Sequence, residues 1–182
     1  MKNGAIQDGT GPGDDGDARR DGTREALIAA GRALFARYGY DGASVRAITA
    51  RAGANLGAIT YHFGSKRALY EEVVRRCLEP LAERVLALVR DGGTPLERIE
   101  TVVRAFVDYL RANPDVPRLM LQELALGQGP PRAAGPTIAR VHGALAALVR
   151  EGQADGSIRA GDPALLAIGV LSFSYRRGLP RE

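Results

Sequence analysis

The 182-residue chain has one cysteine, two histidines, no tryptophan and no long uninterrupted hydrophobic run. A single cysteine excludes a framework of intramolecular disulfides, and the widely separated histidines exclude the spacing of a Cys/His zinc site. No segment approaches the roughly 20 apolar residues of a membrane helix, and the N-terminal stretch MKNGAIQDGT lacks the apolar stretch of a secretion signal. We therefore predict a cytoplasmic protein.

Residue groupings that support catalysis are also scarce. No nucleophile–base pair, carboxylate pair, metal-ligand cluster or phosphate-binding glycine loop occurs at a workable spacing. The sequence therefore predicts a protein that is not an enzyme and that uses no metal or cofactor. Cys77 lies on an apolar helical stripe, which is typical of a buried and unreactive thiol.

Positive charge is concentrated in one part of the chain. Residues 1–22 carry three basic and five acidic side chains, net −2, whereas residues 23–70 carry seven and two, net +5. Residues 71–182 carry 15 and 14, net +1. A basic segment of this kind is typical of a module that binds a polyanion, although a solvated basic surface would have the same composition.

The distribution of apolar residues predicts an all-α fold, because no alternating pattern is long enough for a strand. Residues 1–22 are rich in Gly and Asp, which predicts a disordered tail. Arg19 and Arg20 at its end suggest either an arm for a DNA minor groove or, preferably, a solvated charge pair. Thr23 is the expected N-cap of helix 1, and Gly39 its expected end.

Two very short helices follow helix 1. Ser44 is the predicted cap of the second helix, Gly53 its end, and Asn55 the cap of the third. Ser65 is expected to cap a long fourth helix that reaches about residue 90, with a kink or local break at Pro80. These elements define an N-terminal helix-turn-helix domain over residues 23–70.

The segment GGTPLERIE marks the clearest later helix start. Thr94 and Glu97 have the spacing of a capping box, and Pro95 suits the first helical position. Further helices are expected over about 116–126 and 137–151 and from Asp162 onward, with a loop at GQGPPRAAGP. Residues 71–182 therefore form a second, larger helical domain.

The third helix is too short to be stable alone, so neighbouring helices must hold it in place. Its function therefore depends on the side chains that it displays on its outer face. Helical periodicity places Leu56, Ile59 and Phe63 inward. It places on the outer face the candidate DNA-contacting residues Gly57, Ala58, Tyr61 and His62. Small residues let backbone approach a duplex, and the ring tips can reach phosphates. The alternative is that Tyr61, His62 and Phe63 form a plain aromatic core.

Side chains that reach base edges must carry donors or acceptors. Arg46, Asn55 and Thr60 are the candidates, and Arg46 has a phosphate contact or a solvated position as its alternatives. Lys66 lies in the first turn of helix 4, where free backbone N–H groups also favour an anion. The small number of long polar side chains suggests that DNA shape contributes much of the specificity.

From about Thr23 to Tyr70 the sequence resembles the N-terminal domain of the TetR family of bacterial transcriptional regulators. The matching positions are Ser44, Ile48, Ala52, Gly53, Gly57, Tyr61, His62, Phe63, Lys66, Leu69 and Tyr70. Many members have Thr where Ser44 stands and Tyr where Thr60 stands, which shifts expected phosphate contacts toward Tyr61. The resemblance adds Ser44 to the expected DNA contacts.

The resemblance implies a homodimer that binds a pseudo-palindromic operator as a repressor and is released by a small molecule. Members usually pair two long C-terminal helices between subunits, and here Glu182 follows helix 8 directly. We expect a domain that lacks the final helix, and hence either a weakened dimer built on helix 8 and its neighbours or a natural or artificial truncation.

The larger domain is apolar enough to enclose a ligand pocket between its helices. Its few polar candidates for orienting a ligand are Tyr109, Arg118, Gln122, Glu123 and His142. An ion pair between Arg118 and Glu123 and a histidine satisfied within the core are the simpler alternatives. A helical protein that binds small molecules without a DNA role is the alternative function.

Overall fold

The computed structural model describes residues 14–125 and 134–178. Most of the predicted tail, much of the predicted loop after helix 6, and the last four residues therefore lie outside the described residues. Within them every regular element is a helix, as predicted: α1 (Asp14–Gly42), α2 (Val45–Arg51), α3 (Ala58–Phe63), α4 (Lys66–Val89), α5 (Pro95–Ala112), α6 (Asp115–Ala125), α7 (Gly135–Ala154) and α8 (Pro163–Gly178). No described helix is long and apolar enough to cross a membrane.

Helix α1 begins earlier than the sequence pattern indicated. Its first residue is Asp14, so the prediction that Thr23 is the N-cap is wrong, as is the predicted disorder of residues 14–22. The Thr23 hydroxyl instead donates to the carbonyl of Arg19, 3.0 Å away, as a threonine inside a helix does. Near the other end, Gly39 has a non-helical backbone with φ of 74°, which interrupts the helix where an end was predicted.

The N-terminal helices enclose a filled hydrophobic core. The side chains of Leu27, Phe35, Ile48, Ile59 and Leu69, from α1 to α4, are no more than 2% exposed. Aromatic rings extend this core, since the rings of Phe35 and Tyr70 meet edge to face with centroids 5.0 Å apart. The short helices α2 and α3 are thus held by packing rather than by their own stability.

The long helix α4 connects the two halves of the fold. The Ser65 hydroxyl accepts a hydrogen bond from the backbone N–H of Ala68 at 3.1 Å, which confirms the predicted cap. Helical backbone continues through Pro80, so the helix is not broken there. Its buried face runs from Leu69 to Leu86, first against α1 and α3 and then against α5 and α7.

The larger domain begins at the predicted capping box. The Thr94 hydroxyl accepts from the Glu97 N–H at 3.3 Å, and the Glu97 carboxylate accepts from the Thr94 N–H at 2.9 Å. Pro95 occupies the first turn of α5. Helices α5, α7 and α8 pack closely on one another, and α4 completes the bundle.

An ion pair joins the two parts of the molecule. Arg32 on α1 donates from Nη2 to Asp115 Oδ1 at 2.9 Å and from Nε to Asp115 Oδ2. The same Nη2 lies 3.1 Å from Asn113 Oδ1. Because bidentate arginine–carboxylate pairs are both strong and directional, this contact fixes α6 against α1.

Candidate DNA-binding site and ligand cavity

Helices α2 and α3 form a helix-turn-helix whose ends are fixed by backbone chemistry. The Ser44 hydroxyl accepts from the Ala47 N–H at 3.1 Å and caps α2, as predicted. Gly53 has φ of 65°, a left-handed conformation that costs glycine little, and the Ala54 N–H donates to the Thr49 carbonyl at 2.9 Å. The turn predicted from the glycine is therefore present.

Helix α3 begins later than predicted, and this changes which residues face outward. Its N-cap is Gly57, whereas Asn55 makes no side-chain cap, and its carbonyl accepts from the Ala58 N–H at 3.1 Å. Leu56, predicted to be inside, is 56% exposed, and Ala58, predicted to be outside, is 6% exposed. The predictions that Leu56 faces inward and Ala58 outward are both wrong. Because Ala58 is buried, its methyl group cannot contact a DNA groove.

The outer face of α3 presents the remaining candidates. Gly57, Thr60 and Tyr61 are exposed. Within the aromatic run Tyr61–Phe63, Tyr61 is the most exposed residue, at 66%. Asn55 is exposed next to Gly57, and Arg46 is exposed on α2. The structure therefore brings polar tips and an open backbone position together on one surface.

Gly57 is not required by the conformation of the chain itself. Its φ is −77°, which any residue adopts, and a Cβ added there would meet only Asn55 Oδ1 at 3.5 Å, an ordinary contact distance. A side chain at this position would project outward from the surface. The open space at Gly57 is therefore suited to close approach by another molecule.

The aromatic run is partly exposed and partly packed. Tyr61 and His62 meet edge to face with centroids 5.0 Å apart, and His62 is half-buried. Phe63 supports the run from below, where the guanidinium of Arg24 lies 5.2 Å from its ring. Arg24 also donates to Glu72 at 3.0 Å, so its charge is used to hold α1 against α4. The run is thus neither fully core nor fully surface.

Lys66 lies in the first turn of α4, as predicted, but has a partner that the sequence did not suggest. Its ammonium lies 4.5 Å from the centroid of the Tyr40 ring, within range of a cation–π contact. This contact helps to hold the charge in place at the start of α4, the helix that follows α3. The ammonium nitrogen keeps its three donors.

Arg20, for which the sequence favours a solvated charge pair, lies beside the outer face of α3 in the structure. Helix α1 reaches α3 with its first turns, and the Arg20 guanidinium lies 6.0 Å from the centroid of the Tyr61 ring. The Gly- and Asp-rich composition of residues 1–22 concealed this, because it resembles that of a tail. The pair of arginines at positions 19 and 20 was the available signal.

The second candidate site is a cavity of about 500 Å³ in the larger domain, between α4, α5, α6, α7 and α8. Its wall is mainly apolar. Among the predicted ligand residues, His142 lines it. The lining also includes Thr137, Ser172, Tyr175 and Arg176, which sequence reasoning missed because no motif distinguishes them.

The other predicted ligand residues lie elsewhere. The Tyr109 hydroxyl donates to the Cys77 carbonyl at 2.7 Å, and burial raises the Tyr109 pKa. Arg118 is exposed and absent from the cavity wall, while the side chains of Gln122 and Glu123 lie outside the described part of the structure. Cys77 is buried, as predicted, and burial raises its pKa to about 11.

The fold and these two sites define a helix-turn-helix protein with a cavity-bearing helical bundle. Residues 27–73 match the family described as "Bacterial regulatory proteins, tetR family", and residues 95–181 match "Tetracyclin repressor-like, C-terminal domain". The chain belongs to the TetR family, as the resemblance predicted.

Named relatives are transcriptional regulators. The chain is 29% identical over 104 residues to the HTH-type transcriptional regulator RutR of Escherichia coli, covering 57% of this chain and 49% of RutR. It is 36% identical over 63 residues to the repressor AcnR of Corynebacterium efficiens, covering 35% and 34%. The chain thus spans about half or less of the length of these relatives.

Solved structures share the fold. AibR, solved in complex with isovaleryl coenzyme A and operator DNA, superimposes with a TM-score of 0.74 at 21% identity, covering 88% of each chain. At this identity the similarity establishes the all-α architecture and not the ligand.

Proposed function

We propose that the protein is a sequence-specific DNA-binding transcriptional regulator, a repressor that a small molecule releases, and that it acts in the cytoplasm without catalysing a reaction. The observation that carries this proposal is the outer face of α3. There an open backbone position at Gly57 adjoins the exposed side chains of Thr60 and Tyr61. Family membership and the named regulators among the relatives support it.

In this proposal α3 enters the major groove, as the second helix of such motifs does. Gly57 lets backbone approach the duplex, while Arg46, Asn55 and Thr60 reach base edges. Ser44, Tyr61, His62 and Lys66 contact phosphates, and Arg20 adds a further cation from α1. Ala58 contributes to the core rather than to the interface.

We further propose a homodimer on a pseudo-palindromic operator. Two copies of α3 can read half-sites one turn of DNA apart, roughly 34 Å, only when a second subunit positions them. Helix α8 exposes Leu165 at 66% and Phe173 at 56%, apolar side chains suited to a subunit contact. This face is where the proposed dimer forms.

Ligand and DNA are linked through α4 and α6 in this proposal. Both helices line the cavity, through Leu78 and Leu81 on α4 and Met120 on α6. Helix α6 is tied to α1 by the pair of Asp115 and Arg32, and α4 packs against α3. A ligand that favours one arrangement of these helices changes the spacing of the two α3 helices.

The test is selection of DNA by the purified protein. Sheared genomic DNA of the host is incubated with the protein near physiological salt, and the retained fragments are sequenced. We expect enrichment of a pseudo-palindrome. Retention that lacks any sequence preference or any dependence on salt would contradict the proposal and favour the alternative, a small-molecule-binding helical protein with no DNA role.

The sign of regulation is tested separately. The enriched sequence is placed at a promoter that drives a reporter gene, and the protein is supplied from a second plasmid. Repression predicts lower reporter output with the protein than without it. Higher output would identify an activator and leave the DNA-binding part of the proposal standing.

A further inference from the structure

The cavity wall is aliphatic over most of its surface. It includes Leu78, Leu81, Val85, Met120, Val141 and Leu171. Phe106 and Tyr175 are the aromatic residues among the described lining, and the Tyr175 hydroxyl donates to the Pro117 carbonyl at 2.7 Å. Flexible aliphatic and thioether side chains fit an alkyl chain well, whereas a flat aromatic ligand would find little to stack on.

Three of the polar lining residues, His142, Tyr175 and Arg176, lie at one level of the bundle. Helices α7 and α8 are joined by a short connection, so they run antiparallel. His142 lies twelve residues before Ala154, the end of α7, and Tyr175 lies twelve residues after Pro163, the start of α8. His142 therefore lies level with Tyr175 and its neighbour Arg176.

Two further polar residues lie about one turn to either side of this level, Thr137 farther from the α7–α8 connection and Ser172 nearer to it. Ser172 lies one turn before Arg176 on the same face of α8, and Thr137 lies just over one turn before His142 on α7. The Thr137 hydroxyl donates to Glu79 at 3.1 Å, so it is already engaged. Ser172, His142 and Arg176 remain as the groups that can orient a ligand there.

The charged side chain in the described cavity wall is basic. Among the described lining residues Arg176 carries the permanent charge, and none is a carboxylate. Glu79 is paired with Arg140 at 3.1 Å. A cationic ligand therefore meets no described acid in the wall, whereas an anionic group meets a guanidinium.

We propose that the cavity binds an aliphatic carboxylate, with its alkyl chain among the side chains of α4 and α7 and its carboxylate at Arg176. This inference rests on the proposed function, because it names the chemical class of the effector. A volume of about 500 Å³ is within the range of small-molecule sites, roughly 300–1,000 Å³, and suits a medium-length chain. Arg176 is exposed, so the carboxylate lies at the cavity mouth.

Calorimetric titration of the full chain with three ligands of one length tests the charge preference. The ligands are decanoate, 1-decanol and decylamine, with the alcohol kept below its solubility limit and the two ionic ligands below the concentration at which they form micelles. We expect decanoate to bind about tenfold more tightly than decanol, as one charge-assisted hydrogen bond provides, and decylamine to bind most weakly. Equal binding of the acid and the alcohol, or preference for the amine, would overturn the proposal.

Matched variants at the neighbouring positions Arg176 and Arg177 test whether Arg176 binds the carboxylate. Arg176→Gln should lower decanoate affinity about tenfold and leave decanol affinity unchanged, and Arg176→Lys should restore most of the loss. Arg177→Gln is the control, because Arg177 lies 5.1 Å from the Phe173 ring and does not line the cavity. An equal loss in both glutamine variants would refute the assignment of Arg176.

A separate arm distinguishes the free acid from its thioester. Decanoyl-coenzyme A offers the same alkyl chain with phosphates in place of the carboxylate. Tighter binding of the thioester than of decanoate would overturn the assignment of a carboxylate to Arg176. None of these titrations contains DNA, so failure of all the ligands refutes the effector class, while failure of the DNA selection refutes the regulator.

Discussion

The two parts of the molecule differ in how they are filled. In the helix-turn-helix part, large side chains such as Phe35, Ile48 and Ile59 occupy the interior and are no more than 2% exposed. In the larger domain, five helices leave a cavity of about 500 Å³. A filled core holds a surface in one geometry, whereas a hollow one leaves space that a ligand can occupy.

Charge follows the same division. Residues 23–70 carry a net charge of +5 and residues 71–182 a net charge of +1. Acidic groups near the first part are engaged internally, since Glu72 binds Arg24, Arg75 and Arg76 at distances of 2.9–3.0 Å. The excess of positive charge lies within residues 23–70 themselves, so the part with the filled core is also the more basic one.

The largest expected effect comes from emptying the filled core. Phe35→Ala should lower the free energy of unfolding by about 4 kcal/mol, because it removes a fully buried ring. Leu81→Ala should cost only about 2 kcal/mol, because Leu81 already borders the cavity. Urea unfolding of both variants measures the difference. Equal costs would show that the two parts are packed alike.

The next effect separates base reading from charge on the proposed DNA-binding face, the outer face of α3 with its neighbours Arg46 and Lys66. Arg46→Ala should cost about 1–3 kcal/mol on the selected sequence and relax preference at one position per half-site. Lys66→Ala should weaken binding to every sequence and reduce the salt dependence by about one charge. Fluorescence anisotropy on specific and random duplexes over a salt series measures both.

Arg67→Ala is the control, because Arg67 is exposed and donates to Glu71 at 2.9 Å. It should change neither the specificity nor much of the affinity. If Arg46→Ala loses affinity equally on specific and random DNA, Arg46 contacts a phosphate and reads no base.

The smallest effect tests the contact between the two parts. Asp115→Asn should lower the free energy of unfolding at neutral pH by about 1 kcal/mol, since it removes a partly exposed ion pair with Arg32. The hydrogen bond from Arg32 holds the Asp115 pKa below its ordinary value. Stability from this pair is therefore present above about pH 4 and lost as pH falls through the lower native pKa.

Urea unfolding at several pH values measures this difference. The gap between wild type and Asp115→Asn should be constant from about pH 7 to 5 and shrink below about pH 4. Asp108→Asn serves as the control, because Asp108 is an exposed carboxylate on α5. A gap that persists at low pH would show that the variant acts through packing instead.

Local chemistry made much of the fold predictable. Ser44, Ser65 and the pair of Thr94 and Glu97 cap helices where the sequence placed them. Gly53 supplies the expected turn. These features depend on residues within four positions of one another, so they are visible in the sequence.

Features that depend on distant residues or on the phase of a short helix were not predictable. Leu56 lies before the N-cap of α3, so helical periodicity does not apply to it, and the six residues of α3 are too few for periodicity to fix the facing of Ala58. The contact of Arg32 with Asp115 joins residues 83 positions apart. The cavity wall likewise draws on five helices, so its polar residue Arg176 had no local signal.

The open position at Gly57 has a consequence for how variation at this site would be observed. The chain has room for a methyl group there, so Gly57→Ala should change folding stability by less than about 1 kcal/mol. A laboratory screen for well-expressed, correctly folded variants would accept many substitutions at this residue. Under the proposed function, a genetic selection for promoter occupancy would reject them, so the same codon would tolerate change in one experiment and resist it in the other.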